Sequence, residues 1–557
     1  MKRIIPFIMF SIILTSISAH GVTVYISNTW ITADSKFAMS WSSESGKRYN
    51  IEYTDDLQNW HWWENIQSQG ATTTWQKNLV DFPSGRSVRV KLIPTKFDLD
   101  TCFIKRLPEI DYVWGSTNPT VEGWPSVGQT VTWRAYVRHW GSYQINNIPY
   151  AWYLDDNMVQ SGFATINPGV YNTFDFDWTW TFERHTIKFV IDHTNNVDEN
   201  FELNNQLTVF SNAISVGFYV EQDLYDYFHT YQRDLGVGAN SWDDWAQRQI
   251  KKWNEMCAEA VYGSDAPNGV LDRFRLDEIH IVPNGALPLA GGLPTNHPNY
   301  NDRTVDLQWG FPRTLLDGTM YSNHTSVSYS NPFYIEQSLL HELGHARYLI
   351  DCYGFDTHNT SSHHSVQIYE GSTYVAGSSY MPFIAWGEVL YYNKSGGVMT
   401  GPYGFNWSPY ETMALNRIAG RRAVYGNYNA PGNIGVFLQD LPQNNHIKIT
   451  DGNGLKRVGA NVRIYEAESG PGWYGKTFDN TYDQEYTTDS NGYIHVGRNP
   501  FNPGGAITHT YGKADGVMIL RISHNGQIWY RFMEVSDFNI EYWRGNTQDA
   551  YYTIQVN

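Results

Sequence analysis

The sequence predicts a multidomain chain in which an α+β domain is flanked by all-β sandwich modules. Three observations lead there. The length of 557 residues is more than one hydrophobic core organises. Before residue 213 and after residue 434, apolar and polar positions alternate with period two between clusters of turn residues. The stretch between them carries apolar residues at three- and four-residue spacing, the mark of helices.

Composition narrows the function classes. With 39 Lys and Arg against 56 Asp and Glu, the formal charge is −17 and no basic block occurs, so nucleic acid is not an expected partner. Aromatics reach 16%, including 22 Trp and 39 Tyr, which suits either aromatic sandwich cores or solvent-facing rings that stack on sugars. Cys102, Cys257 and Cys352 are odd in number and lack paired spacing, so no disulfide framework is expected and at most one bridge can form. Residues 1–19 carry Lys2 and Arg3, an apolar run from Ile4 to Leu14, and small residues before Ala19, and read as a cleaved signal peptide. No later stretch offers the ~18 apolar residues of a membrane span. The mature protein is therefore expected to be secreted or extracellular, or else periplasmic.

Residues 22–97 read as a small all-β accessory module, with alternation in Phe37-Ala38-Met39-Ser40-Trp41 and Tyr49-Asn50-Ile51-Glu52-Tyr53. Residues 106–213 read as a second β-sandwich with strands Thr130 to Arg138, Tyr150 to Leu154 and Thr186 to Ile191. Its closing run, Asp192 to Asn196 with Glu199, Glu202, Asn204 and Asn205, resembles the end of adhesion-related immunoglobulin-like (CARDB-like) domains. These acids and amides suit either solvated hairpin turns or Ca2+.

The α+β domain is expected over residues 214–430. Ser241 caps a helix bearing Trp242, Trp245, Ala246, Gln249, Ile250, Trp253, Cys257 and Ala260. Strands follow at Arg273 to Val282 and Thr304 to Trp309, the second a candidate edge for aligning an extended peptide. A helix is then expected from Pro332, with Asn331 as its N-cap. It carries His341, Glu342 and His345 in the arrangement H-E-x-x-H. Histidines four apart on a helix lie about 40° apart around its axis, so both imidazoles can hold one zinc ion. Glu342 projects beside them, placed to take a proton from a water. Later, Ser408, Pro409 and Glu411 form a capping box that opens a final helix running to Gly420. Residues 434–557 return to β structure and resemble, from Ile449 to Tyr465 and at Thr487-Thr488-Asp489, the prealbumin-like modules of exported peptidases.

Catalytic zinc needs a third protein ligand. Asp351 stands ten residues after His341, where metzincin-type peptidases place theirs, and Asp351-Cys352-Tyr353 resembles the sequence in immune inhibitor A-like secreted peptidases. Snapalysin-like enzymes also use Asp there. Those families turn out of the helix at a Gly where this chain has Tyr348, and an unbroken helix would aim Asp351 about 240° from His345. The helix must therefore end near Tyr348 or Leu349. Glu388, Glu370, His358, His363 and His364 are the alternatives. Met399, in Gly396-Gly397-Val398-Met399-Thr400-Gly401, resembles the methionine turn beneath metzincin zinc sites, and Tyr403 is a candidate oxyanion donor.

Together the resemblances imply a zincin-like metallopeptidase, an exported zinc endopeptidase acting on extracellular protein or glycoprotein with Glu342 as general base. Its β modules would serve attachment to a surface or glycan. The alternative is an adhesion or glycan-binding protein whose peptidase-like domain is catalytically inactive.

Overall fold

The structure is a computed structural model. It describes residues 24, 26–45, 47–55, 61–81, 86–93, 98–112, 123–141, 143–197, 199, 201–228, 239, 241–287, 289–290, 293–294, 302–313, 335–347, 349, 352, 357–358, 364–375, 384–385, 389–390, 397–400, 404–422, 440–467, 477–501 and 516–557. These are mostly β-sheet, arranged as sandwiches with few helices. They gather into two units, one of residues 1–111, 124–252 and 274–336, the other of 112–123, 253–273 and 337–557. The segment 214–430, expected as one α+β domain, is thus divided between them.

In the first unit, strands Ile26–Ile31, Lys36–Ser42 and Thr72–Asn78 form one three-stranded sheet, and Arg48–Thr54, His61–Gln67 and Ser87–Ile93 another. All their pairings are antiparallel. Phe37, Met39, Trp41, Tyr49, Ile51 and Trp75 pack into one core, with Trp41 edge-on to Tyr49 at 5.8 Å.

A second sandwich pairs the sheet of Ile145–Leu154, Asn157–Ile166, Thr186–Ile191 and Gln206–Phe210 with that of Leu99–Leu107, Thr130–His139 and Tyr171–Thr179. Period two is plainest in Thr130–His139, where Val131, Trp133, Ala135, Val137 and His139 are buried and the residues between them are not. Trp133, Trp152, Trp180 and Phe189 dominate the core. Leu99–Leu107 lies largely in the interval that the sequence leaves between the two modules, yet it pairs along Thr130–His139.

That strand is held by the acidic closing run, which is only partly a solvated turn: Asn195, Asn196 and Glu202 are exposed, whereas Glu199, Asn204 and Asn205 are buried. Glu199 is only 7% exposed; its carboxylate accepts the Leu99 N–H at 2.5 Å and the Asn205 side-chain amide at 2.9 Å. Asn204 donates to Asp98 at 2.8 Å, and the Thr101 hydroxyl donates to the Asn205 carbonyl at 2.9 Å. These acids and amides lock a strand that comes about 100 residues earlier in the chain. Nor are the tryptophans a solvent-facing set: Trp30, at 37%, is the indole among the described residues that ranks as exposed.

The first unit also holds a parallel sheet of Phe274–Val282, Ile214–Glu221 and Leu307–Phe311, in that order. All eight residues of its central strand are buried, as expected for a parallel strand covered on both faces. The Ser241 hydroxyl accepts the Asp244 N–H at 3.0 Å and so caps Trp242–Glu259 as expected. Trp242 packs on Phe218 and Phe311 of the sheet. Leu307–Phe311 is the sheet's edge among the described residues, but all five of its residues are buried, which argues against offering it to a peptide.

In the second unit, the described residues of 440–557 form two sheets. Asn444–Asp451 lies between Tyr493–Val496 and Asp549–Val556, while Gln484–Thr487, Asn461–Glu466, Val517–His524 and Gln527–Glu534 make the other. A further sheet joins Thr477–Phe478 to His364–Val366, Thr357–His358, Val389–Leu390 and Ile384–Ala385. Pairing therefore crosses the boundary expected at residues 430–434.

Burial pushes the Glu199 carboxyl up from 4.5 to about 8. Between those values the folded chain holds a proton that the unfolded chain has released, so stability falls as pH rises through the window and is greatest below it. The expected loss is at most about 5 kcal/mol. Glu199→Gln should flatten this slope in denaturation curves recorded from acid to mildly alkaline pH.

Candidate metal centre

The two-histidine helix spans Gln337–Ala346. It starts later than the Asn331 and Pro332 signal predicts: Ile335 and Glu336 are not helical, and the Glu336 N–H is taken by the Gln249 side chain at 2.8 Å. Residues 331–334 lie outside the described residues. Leu339, Leu340 and Leu343 are buried on one side, while His341, Glu342 and His345 share the other, His345 at 8% exposure and His341 and Glu342 half-buried.

Both imidazoles are oriented by backbone. His341 Nδ1 lies 2.9 Å from the Val398 carbonyl oxygen, and His345 Nδ1 lies 2.8 Å from that of Leu349. A carbonyl only accepts, so each Nδ1 carries the proton and each lone pair is on Nε2, the nitrogen that would bind a metal. The rings stand 4.7 Å apart and perpendicular at 89°. Histidines fixed in tautomer by a second hydrogen bond are the form in which imidazole binds zinc, so this pair fits the ion.

The helix ends at Ala346. Arg347 N–H reaches the carbonyls of Leu343 and Gly344, and Leu349 N–H returns to that of Gly344 at 3.1 Å. This turn places the Leu349 carbonyl against His345. Arg347, buried at the turn, pairs with buried Asp272 at 2.7 Å and donates to the Ile418 and Arg421 carbonyls. The other Asp272 oxygen accepts the Gly420 N–H at 2.7 Å.

Met399 lies beneath the helix. It is fully buried, and a Cβ added at Gly344 would stand 2.7 Å from its sulfur. Val398–Thr400 is a short 3-10 turn that presents the Val398 carbonyl to His341. Glu411 holds it in place. The capping box forms as expected at the start of Pro409–Asn416, with Glu411 accepting the Ser408 N–H at 2.6 Å. Its other oxygen accepts the Met399 N–H at 2.7 Å, and burial pushes its carboxyl up to about 7. The helix stops at Asn416, short of Gly420.

Asp351, Tyr403, Glu388 and His363 lie outside the described residues, as do the side chains of His358 and His364. Glu370 is committed elsewhere: Arg521 donates to both of its oxygens and Tyr530 to one. Sequence reasoning missed Arg347 with Asp272, and the second duty of Glu411. The capping-box signature marked Glu411 as a cap, but no local pattern announces its bond to Met399.

A protein-family model described as CARDB matches residues 113–209. This stretch is a CARDB domain. Solved structures similar to it include the CARDB domain of a Pyrococcus furiosus protein in solution, 18% identical, covering 20% of this chain and 92% of that one with a TM-score of 0.16. A crystal structure of the Pyrococcus furiosus CARDB domain in complex with di-metal ions is 19% identical, covering 20% and 90% with a TM-score of 0.16. A domain from Methanosarcina acetivorans, described as part of a cell surface protein, is 22% identical, covering 20% and 88% with a TM-score of 0.15. No curated protein matches the chain.

Two substitutions test how the centre is held. Asp272→Ala strands the Arg347 guanidinium in the interior and should cost about 3–5 kcal/mol in chemical denaturation. At Gly397 an added Cβ would fall 1.6 Å from Glu411 Oε2 and 2.6 Å from Ser408 N, so Gly397→Ala should cost about 3 kcal/mol. Gly497→Ala, at an open position, is the control and should leave the melting temperature nearly unchanged.

Proposed function

We propose that the chain is an exported zinc endopeptidase that hydrolyses extracellular protein or glycoprotein, with its CARDB domain serving attachment at a surface. The observation that carries this reading is the pair of histidines on one helix, both held through Nδ1 by carbonyls, with Glu342 alongside. His341 and His345 would hold the ion, with Asp351 as the third ligand. Bound zinc would supply a water whose pKa is lowered to about 7 and a Lewis acid for the scissile carbonyl.

The chain's own residues supply the rest. Glu342 takes the proton from the attacking water as the new C–O bond forms, then hands it to the amine nitrogen as the C–N bond breaks. Tyr403 is the proposed donor to the oxyanion. Met399 and Glu411 fix the floor, and the Val398 and Leu349 carbonyls keep both rings from turning. Export rests on the signal-like residues 1–19. Among the described residues no helix is long and apolar enough to cross a membrane, which leaves β-barrel spans unaddressed.

The CARDB domain favours a second reading, a surface adhesion protein with an inactive peptidase-like region. Casein or mucin incubated with the full chain, with and without chelator, separates the two. Chelator-sensitive cleavage supports the peptidase, whereas stoichiometric zinc with no cleavage of either supports adhesion. Glu342→Gln should keep its zinc and lose turnover by at least about two orders of magnitude. Undiminished turnover would remove Glu342 from the mechanism.

A further inference from the structure

A second histidine pair lies in residues 440–557, away in sequence from the H-E-x-x-H helix. His446 of Asn444–Asp451 and His495 of Tyr493–Val496 stand directly opposite each other on paired antiparallel strands. Their Nδ1 atoms face each other at 2.5 Å. His446 Nε2 lies 3.1 Å from Asp549 Oδ1, and His495 Nε2 makes a weaker contact of 3.4 Å with Asp489 Oδ2.

This geometry has a consequence for the protons. A carboxylate accepts only, so the nitrogen facing it must be the one that bears hydrogen. Neutral imidazole has a single N–H, and in both rings that N–H points to the acid. The two Nδ1 atoms then meet lone pair to lone pair. Such an approach is repulsive unless an electrophile stands between them, either one shared proton or a metal ion.

The surroundings favour the metal. Each ring has its distal nitrogen tied to a carboxylate, the arrangement that orients metal-binding histidines. The Asp489 carboxylate is itself fixed, its Oδ1 accepting the N–H groups of Asn491 and Tyr493. Tyr551 stacks on His446 at 4.7 Å and holds that ring, while Tyr493 lies nearly parallel to His495 at the looser distance of 6.3 Å. The His446 side chain is 15% exposed and that of His495 57%, which leaves the pair open to solvent on one side. Two nitrogens on one tetrahedral zinc stand about 3.3 Å apart, a widening that the half-exposed His495 can supply.

We infer that His446 and His495 form a surface site for one divalent transition-metal ion of the imidazole-preferring class, such as zinc, nickel or copper(II), with Asp489 and Asp549 orienting the ligands. The remaining positions on the ion would be filled by water or by a donor from another molecule. The site is separate from His341 and His345 and does not depend on the peptidase reading.

Titration of the full-length chain with zinc chloride or nickel chloride in a calorimeter, at about pH 7.5 where free imidazole is neutral, tests this. His495→Ala should lower the number of bound ions by one relative to the unaltered chain, whatever the count at His341 and His345. His341→Ala with His345→Ala should retain this ion. In that background Asp549→Asn should weaken binding by about 10- to 100-fold. An unchanged ion count in both His495→Ala and His446→Gln, with melting curves showing intact folds, overturns the proposal, as does a count of zero in the unaltered chain.

Discussion

The arrangement around the H-E-x-x-H helix depends on a buried ion pair, Arg347 with Asp272. Burying two charges is costly, and such a pair is weak evidence of stability by itself. Its value lies in where it puts the chain. It holds Arg347 at the first residue after the helix, which ends at Ala346, and beyond that end the Leu349 carbonyl lies against His345. Asp272 and Arg347 also grip Gly420, Ile418 and Arg421, which follow Pro409–Asn416. The other end of that helix carries Glu411, which holds Met399 under Gly344. Polar contacts thus run from one end of the histidine helix through a second helix and return to the floor beneath the first.

Local chemistry was legible where one element decides the outcome. Histidines four apart, the Ser408 to Glu411 box and the Ser241 cap are all contained within one turn of helix, and each formed. Long-range contacts were not legible. Asn331 and Pro332 are a sound helix start, yet Glu336, bonded to Gln249, is not helical, and the helix begins at Gln337. Alternation in Thr130–His139 predicted a strand but not that Leu99–Leu107 would lie beside it. Period two likewise places His446 and His495 on sheet faces. Whether they oppose each other depends on register, which no single strand encodes.

Acidic residues illustrate the same limit. With a charge of −17, a run such as Asp192 to Asn205 is naturally read as solvated, because carboxylates prefer water. Here Glu199 is drawn inside because a strand 100 positions earlier needs its N–H satisfied, and the carboxylate is the available acceptor. Glu411 follows the same logic at Met399. Each carboxylate accepts from the backbone, Glu199 from one N–H and Glu411 from two, and its proton affinity is raised by burial, so both trade acidity for position.

The two histidine pairs differ in what stands behind them, and that difference bears on chemistry. Behind His341 and His345 are neutral carbonyls, whereas behind His446 and His495 are carboxylates. A carboxylate behind an imidazole pushes electron density toward the metal and quenches part of its charge. A dication at the carbonyl-backed pair would therefore keep more of its charge to act on a bound water or a polarised carbonyl, with Glu342 beside it to receive the proton. A dication at the carboxylate-backed pair would be held more firmly and made less acidic. On the proposed readings, the first environment would act on a bound water and the second would retain an ion.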